Sequence, residues 1–302
     1  MPSVEHEAFV TVLTTAPAPE VAPTLQEQRD NYRAMLGANP IADDITIEET
    51  TIAGCAADWV SAPNSDKGKA ILYLHGGGYI MGDNIGYREF ASRLARATGA
   101  RICVLDYRLA PEAECPAALD DSVAAFKEIV ASGISVANTA IAGDSAGGGL
   151  AISTLVALRD GGVALPPCAI GFSPWTDLAL TGDSIDDLKS NDPFVSNDPF
   201  VSKEVLQGMV LAYAPNDPGN AVASPLNADC SGLPPLHIET GTREILLSDS
   251  RRFVEKARAE GVDVDYFEGE GLIHVWPVVV PEGAESKDAL KRCGDFLAKH
   301  WG

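Results

Sequence analysis

The chain has 302 residues, of which 22 are Lys or Arg and 43 are Asp or Glu, for a formal charge of −21. That balance opposes binding to nucleic acid or to an anionic membrane, both of which need clustered Lys and Arg, and favours small neutral or cationic partners. Six cysteines, Cys55, Cys103, Cys115, Cys168, Cys230 and Cys293, show no C-x-x-C pairing, no His clusters at metal spacing, and neither an apolar leader nor a membrane-length apolar run occurs; the expectation is a soluble, cytoplasmic chain with reduced thiols and no metal.

Residues 1–40 carry two helix-like patterns, Val4–Leu13 and Thr24–Leu36, separated by Ala16-Pro17-Ala18-Pro19 and closed by Gly37 and Pro40. In the second, Leu25, Tyr32 and Leu36 are expected along one face with Arg29 and Asp30 turned away, so the segment should lie on something larger. From Ile45 the apolar period changes to two, and Gly54 turns the chain into Cys55–Val60 as a hairpin. Ala70–Leu74 is a continuous apolar run, as in a strand buried on both faces, and it stops at His75-Gly76-Gly77-Gly78. Helix and strand then alternate: helix Arg88–Ala97, strand Ile102–Leu105, helix Ala117–Ala131, strand Ala140–Ala142 and helix Leu150–Leu158. Such alternation implies right-handed crossovers and a parallel sheet, hence an α/β fold.

Cys168–Phe172 is a further strand, and the next, Leu236–Thr240, follows only after roughly sixty residues. That is too long for an ordinary connection, so an inserted subdomain is expected there. Within it Asn191–Ser196 and Asn197–Ser202 are identical copies. Two short copies make no solenoid, and a local duplication in a loop before the helix Lys203–Tyr213 accounts for them. Ser248–Glu260 then reads as helix, Val262–Phe267 as strand and Glu285–Lys299 as a C-terminal helix.

Chemistry enters at Gly143-Asp144-Ser145-Ala146-Gly147, where an apolar strand meets Gly-x-Ser-x-Gly and a helix follows at once. In such an elbow the serine sits on a strained turn with its hydroxyl exposed, and side chains at the flanking glycines would strike strand and helix. Ser145 is therefore the candidate nucleophile. A phosphate-binding reading lacks both the Lys-Ser/Thr of a Walker loop and a Gly-x-Gly-x-x-Gly. Acyl transfer at serine also needs a base, a group that orients the base, and donors for the oxyanion. Of the five histidines, His6 and His300 lie near the termini and His237 inside a strand, whereas His274 follows Gly269-Glu270-Gly271 after a strand, in the chain order the elbow predicts. For the acid, Glu244 in the loop after Leu236–Thr240 and Asp249 in the first turn of the next helix are both available, the latter with an alternative role at a helix N-terminus.

These pieces resemble the hormone-sensitive-lipase-like (bacterial family IV) esterases of the α/β-hydrolase superfamily. The family's oxyanion motif matches His75-Gly76-Gly77-Gly78, its elbow matches Gly143 to Gly147, and its Tyr-Arg-Leu-Ala-Pro-Glu segment matches Tyr107 to Glu112. The resemblance implies an α/β-hydrolase fold with a mostly parallel sheet and a helical cap. It divides the chain into cap helices at 1–40, a catalytic core at 41–177 and 226–302, and an inserted cap segment at 178–225. It assigns Ser145, His274 and Glu244 as the triad, backbone N–H groups of Gly77, Gly78 and Ala146 to the oxyanion, and supporting roles to His75 and Asp144. Glu244 stands where many members have Asp. The implied activity is hydrolysis of short- to medium-chain carboxylic esters without cofactor, and relatives often form homodimers. Lactones, carbamates and aryl amides share the same tetrahedral intermediate, and a non-catalytic receptor is also known on this fold.

Overall fold

The computed structural model describes residues 1–16, 21–187 and 203–301; the tandem copies at 191–202 lie outside the described residues. One eight-stranded sheet runs in the order β1-β2-β4-β3-β5-β6-β7-β8. Its strands are β1 (Thr46–Ile52), β2 (Cys55–Ser61), β3 (Asp66–Leu74), β4 (Ala100–Leu105), β5 (Thr139–Asp144), β6 (Ala169–Phe172), β7 (Leu236–Arg243) and β8 (Val264–Ile273). Pairings from β4 to β8 are parallel, while β2 is antiparallel to both β1 and β4. The β1–β2 hairpin turns on Ala53 and Gly54, both at positive φ, the signature of a two-residue turn whose twist suits the strands.

The strand interiors explain the order. β3 reads Ala-Ile-Leu-Tyr-Leu over its last five residues and β5 is buried throughout, so both occupy the middle, where neither face meets water. Ile71, Tyr73, Ile102 and Val104 point to the face packed by α3 (Arg88–Thr98) and the C-terminal helix (Ala284–His300); Leu72, Leu74, Cys103 and Leu105 point to the other, with α4 (Ala117–Ala131) and α5 (Ala146–Asp160).

At the N-terminus lie α1 (Val4–Thr15) and α2 (Leu25–Leu36), the latter opened by a capping box between Thr24 and Glu27. α2 lies on the core, as expected, but Arg29 is not turned away. Positions 25, 29, 32 and 36 share one helical face at spacings of three and four, and Arg29 donates from Nε to Ile80 O (2.8 Å) and from Nη2 to Ala110 O (3.0 Å), with Glu112 bound beyond. The expected helix ends hold to within a few residues elsewhere, and the insertion contributes α6 (Ser184–Asp187) and α7 (Lys203–Tyr213).

Where β5 passes into α5 there is no space for a side chain. A Cβ on Gly147 would stand 2.0 Å from Leu74 O and 2.4 Å from His75 O, both backbone atoms of the neighbouring strand. Gly208, inside α7, has nothing within 4 Å of the same position. We expect Gly147→Ala to lower the thermal midpoint by roughly 5–10 °C, or to prevent folding, because backbone cannot yield to the added carbon. Gly208→Ala should raise stability by about 0.5–1 kcal/mol through helix propensity alone. Calorimetry on the pair decides; equal effects would show that the elbow is not close-packed.

Candidate active site

Five adjacent parallel strands each deliver a polar residue as they end. His75 follows β3, Ser145 follows β5, Ser173 follows β6, Glu244 follows β7 and His274 follows β8. Parallel strands end on the same edge of a sheet, so residues far apart in sequence converge there, which is where open α/β sheets bind ligands. Ser145 has φ 52° and ψ −121°, is half-buried, and is pinned by its N–H to Phe172 O (2.9 Å) and by Trp175 N–H to its carbonyl (2.8 Å).

His274 Nε2 lies 3.0 Å from Ser145 Oγ, and its Nδ1 lies 3.1 Å from Glu244 Oε1. A carboxylate only accepts, so Nδ1 carries the proton and Nε2 is left to accept from the serine hydroxyl. Glu244 is fully buried; besides His274 it accepts Ser173 Oγ–H (2.7 Å) and Gly241 N–H (2.8 Å) on Oε2. Three donors thus compensate the burial of its charge. Of the two acids open to the sequence, Glu244 is the one beside the imidazole.

Asp249 faces elsewhere. It sits in the first turn of α8 (Leu247–Ala259), where the sequence places it, and it is fully buried there: Oδ2 accepts the N–H groups of Thr176 (3.0 Å) and Asp177 (2.8 Å). Burial, and then the neighbouring Asp177 charge, push its carboxyl up to about 8.

The loop His75-Gly76-Gly77-Gly78 has no room for side chains at its last two glycines. Gly77 and Gly78 have φ +115° and +64°, and a Cβ would lie 2.3 Å from Met81 O in the first case and 2.2 Å from Met209 Sδ of α7 in the second. Among the described residues none of the N–H groups of Gly77, Gly78 and Ala146 has a protein acceptor. Asp144 is buried behind the elbow, accepting Tyr73 Oη–H (2.7 Å), Tyr87 Oη–H (2.8 Å) and Gly76 N–H (3.0 Å), and burial pushes it up to about 6 against those donors. His75 is stacked on Tyr107 (4.2 Å between centroids) with Nδ1 2.8 Å from Gly76 O, and burial brings it down to about 4, so the ring is neutral.

A cavity of about 260 Å³ opens over Ser145 and His274, lined by Met35, Met81, Trp175, Leu206, Met209 and Leu246 among others. Two contributors were not legible in the sequence. Ser173, at φ +46°, joins Glu244 to the base loop by accepting Val275 N–H (3.1 Å), and His6, set aside as terminal, is buried and accepts Ile273 N–H on Nε2 (3.2 Å). Neither belongs to a spacing motif; only the neighbouring Pro174 hints that the chain turns after β6. His237, Glu239 and Cys293 bring ligand-type atoms within 4.8 Å of one another, a grouping that sequence spacing did not announce. Both Glu239 oxygens are already engaged by Arg292 (2.8 and 2.9 Å) and one by His237, which makes the cluster an ion-pair network.

Against this geometry the comparisons with known proteins are direct. A family model described as alpha/beta hydrolase fold matches residues 71–278. The chain belongs to the α/β-hydrolase family. It is 38% identical to an acetyl-hydrolase of Streptomyces hygroscopicus over 82% of this chain and 81% of that one. It is 28% identical to carboxylesterase NlhH of Mycobacterium tuberculosis over 95% and 93%. A solved esterase from the bacterial hormone-sensitive lipase family superposes with a TM-score of 0.93 at 40% identity, covering 99% of each chain. Within the family the chain falls in the hormone-sensitive-lipase-like branch, and it has the fold its strand pattern predicted. No helix among the described residues is long and apolar enough to cross a membrane.

The buried Asp249 gives a pH test. Its carboxyl is raised from about 3.9 in the unfolded chain to about 8 in the fold, so between those values the fold holds the extra proton and stability falls as pH rises. Asp249→Asn removes that dependence. The melting temperature of the variant minus that of the wild type should therefore climb between pH 5 and pH 9; a flat difference would mean that Asp249 does not titrate in this range.

Proposed function

We propose that this chain is a carboxylesterase in which Ser145 is the nucleophile, His274 the base and Glu244 the group that orients it. The observation that carries this reading is the continuous path Glu244–His274–Ser145, at 3.1 and 3.0 Å, beside three backbone N–H groups without acceptors. Ser145 Oγ attacks the ester carbonyl as its proton passes to His274 Nε2, and the oxyanion is held by Gly77, Gly78 and Ala146. The tetrahedral adduct collapses, the alkoxide leaves with the proton from His274, and water repeats the sequence on the acyl-enzyme to release the acid. A receptor on this fold has no need of a base within reach of the serine.

The substrate is an ester of short to medium acyl chain. In support, the cavity of about 260 Å³ is below the roughly 300–1,000 Å³ usual for larger ligands, and its lining is chiefly apolar. We assign residues 1–40 and 178–225 to a cap over a core of 41–177 and 226–302, on the ground that Met35 of α2 and Leu206 and Met209 of α7 line the catalytic cavity. A cytoplasmic site of action agrees with six cysteines that are all unpaired.

Ser145→Ala and His274→Ala should each lower kcat for a butyrate ester by at least about a thousandfold, and the double variant by little more, since they act as one unit. Glu244→Gln should cost about a hundred- to ten-thousandfold in kcat with little change in KM, and Asp249→Asn should spare kcat. A crippled Asp249→Asn beside an active Glu244→Gln would refute the choice of acid.

Ser173→Ala tests the support of that acid. Removing the hydroxyl takes one of two donors from Glu244 Oε2 and the acceptor from the Val275 N–H, and a misplaced base is expected to lose about ten- to a hundredfold in kcat at nearly constant KM. Unchanged kcat would show that Gly241 N–H alone holds Glu244.

A further inference from the structure

Two side chains, Met35 near the end of α2 and Val279 at the end of α9 (Trp276–Val279), line the catalytic cavity and also line a second cavity of about 350 Å³. The second cavity lies between the N-terminal helices and the segment after His274. Phe9, Leu36, Val280 and Pro281 give it an apolar lining, while the exposed carboxylates Glu5 and Glu282 stand among its outer residues. Met35, Val279 and Phe9 are each only partly buried although they pack against core clusters, because they face these cavities. Both side chains belong to the wall that the two cavities share, and one of them is methionine, an unbranched chain with three rotatable bonds that adapts to its surroundings.

We propose that the second cavity is a subsite for the far end of an unbranched, uncharged alkyl tail of the ester whose carbonyl sits at Ser145, and that Met35 and Val279 are the residues that set how long a tail is accepted. The inference rests on ester hydrolysis at Ser145. Continuity through the shared wall identifies the occupant: a tail that has filled the first cavity and continues past Met35 enters a trough lined by Phe9, Leu36, Val280 and Pro281 and open to solvent along Glu5, Ala38, Asn39 and Glu282. The chemistry of its lining excludes a tail ending in a carboxylate, which would meet Glu5 and Glu282.

The test uses the full-length enzyme and two ester series, p-nitrophenyl esters from acetate to laurate and alkyl acetates from methyl to decyl. The readout is the ratio of kcat/KM for the ten-carbon to the four-carbon member of each series. Met35→Ala and, independently, Val279→Ala should raise that ratio by tenfold or more, since each further methylene taken out of water is worth about fourfold. Filling the second cavity from its far side, by Ala38→Phe on the Met35→Ala background, should return the ratio to near the wild-type value. A gain in the p-nitrophenyl series assigns the subsite to the acyl tail, and a gain in the alkyl acetates assigns it to the alcohol tail. Ratios that stay within twofold in both single variants overturn the proposal, as does a gain that Ala38→Phe leaves untouched. A wild type that hydrolyses butyrate while the ratios stay put removes the subsite and keeps the esterase; a wild type inert to both series removes both.

Discussion

The backbone of Ser145 is held in a conformation that no regular element supplies, and the rest of the site is arranged around keeping it there. A serine at φ 52° and ψ −121° carries strain on the order of 1–3 kcal/mol, which persists only where the surroundings leave no alternative. Here the surroundings are β5 on one side, α5 on the other, and two backbone hydrogen bonds to the strand end and turn at Phe172 and Trp175. The close approach of Gly147 to Leu74 and His75 lets α5 begin immediately, so the Ala146 N–H stands one residue beyond Ser145. Asp144 extends the constraint, because its carboxyl gathers Tyr73, Tyr87 and Gly76 and so ties the end of β5 to the first turn of the oxyanion loop. Ser145 and the loop that carries Gly77 and Gly78 are thereby tied together through the end of β5.

The base is positioned differently. His274 is not clasped by glycines; it is suspended between two hydrogen bonds to the backbone on either side of it, Ile273 N–H to His6 and Val275 N–H to Ser173. Val275 itself is at φ 48°, so the chain turns sharply as it leaves the imidazole. Ser173 also holds Glu244, which means that one hydroxyl at the end of β6 sets the spacing of acid and base together. A site of this kind needs β6, β7 and β8 in register, and the parallel pairing Phe172 with Glu239 and Glu239 with Phe267 provides it.

Most of the scaffold could be read from the sequence because its signals are local. Period-two and period-3.6 patterns, a buried run such as Ala70–Leu74, and glycines at Gly143 and Gly147 each state a requirement within ten residues. Ser145 and His274 were legible for the same reason, each lying just past a strand end in the expected order. Glu244 and Asp249 were harder to separate, since spacing leaves both near the end of β7, and only the direction of the Asp249 side chain, toward Thr176 and Asp177, parts them. Arg29 was misread by treating charge as a marker of the solvent side, although its spacing from Leu25 and Tyr32 already placed it on the inner face. His6 and Ser173 left no local signal at all: their partners are 267 and 71 residues away, and nothing but the folded sheet brings them into contact.

The N-terminal arm is joined to this machinery by more than apolar packing. Arg29 binds the carbonyls of Ile80 and Ala110, Arg33 binds Asp83 (2.6 Å), Tyr32 Oη meets Tyr87 Oη (3.0 Å), and His6 takes the N–H of Ile273. Ile80 lies two residues from Gly78, Tyr87 bonds Asp144, and Ile273 precedes the base. These contacts of the arm therefore reach segments next to groups of the site, whereas Ser3 bonds Glu285 at the start of the C-terminal helix. Exposed ion pairs such as Arg29 with Glu112 contribute little by themselves. Bonds to buried backbone atoms differ, because breaking them leaves a carbonyl or N–H without a partner, at about 1–3 kcal/mol each. Arm and core thus hold one another: the arm lines the cavity with Tyr32 and Met35, and its other contacts reach the loops that carry Gly78 and the His274 imidazole.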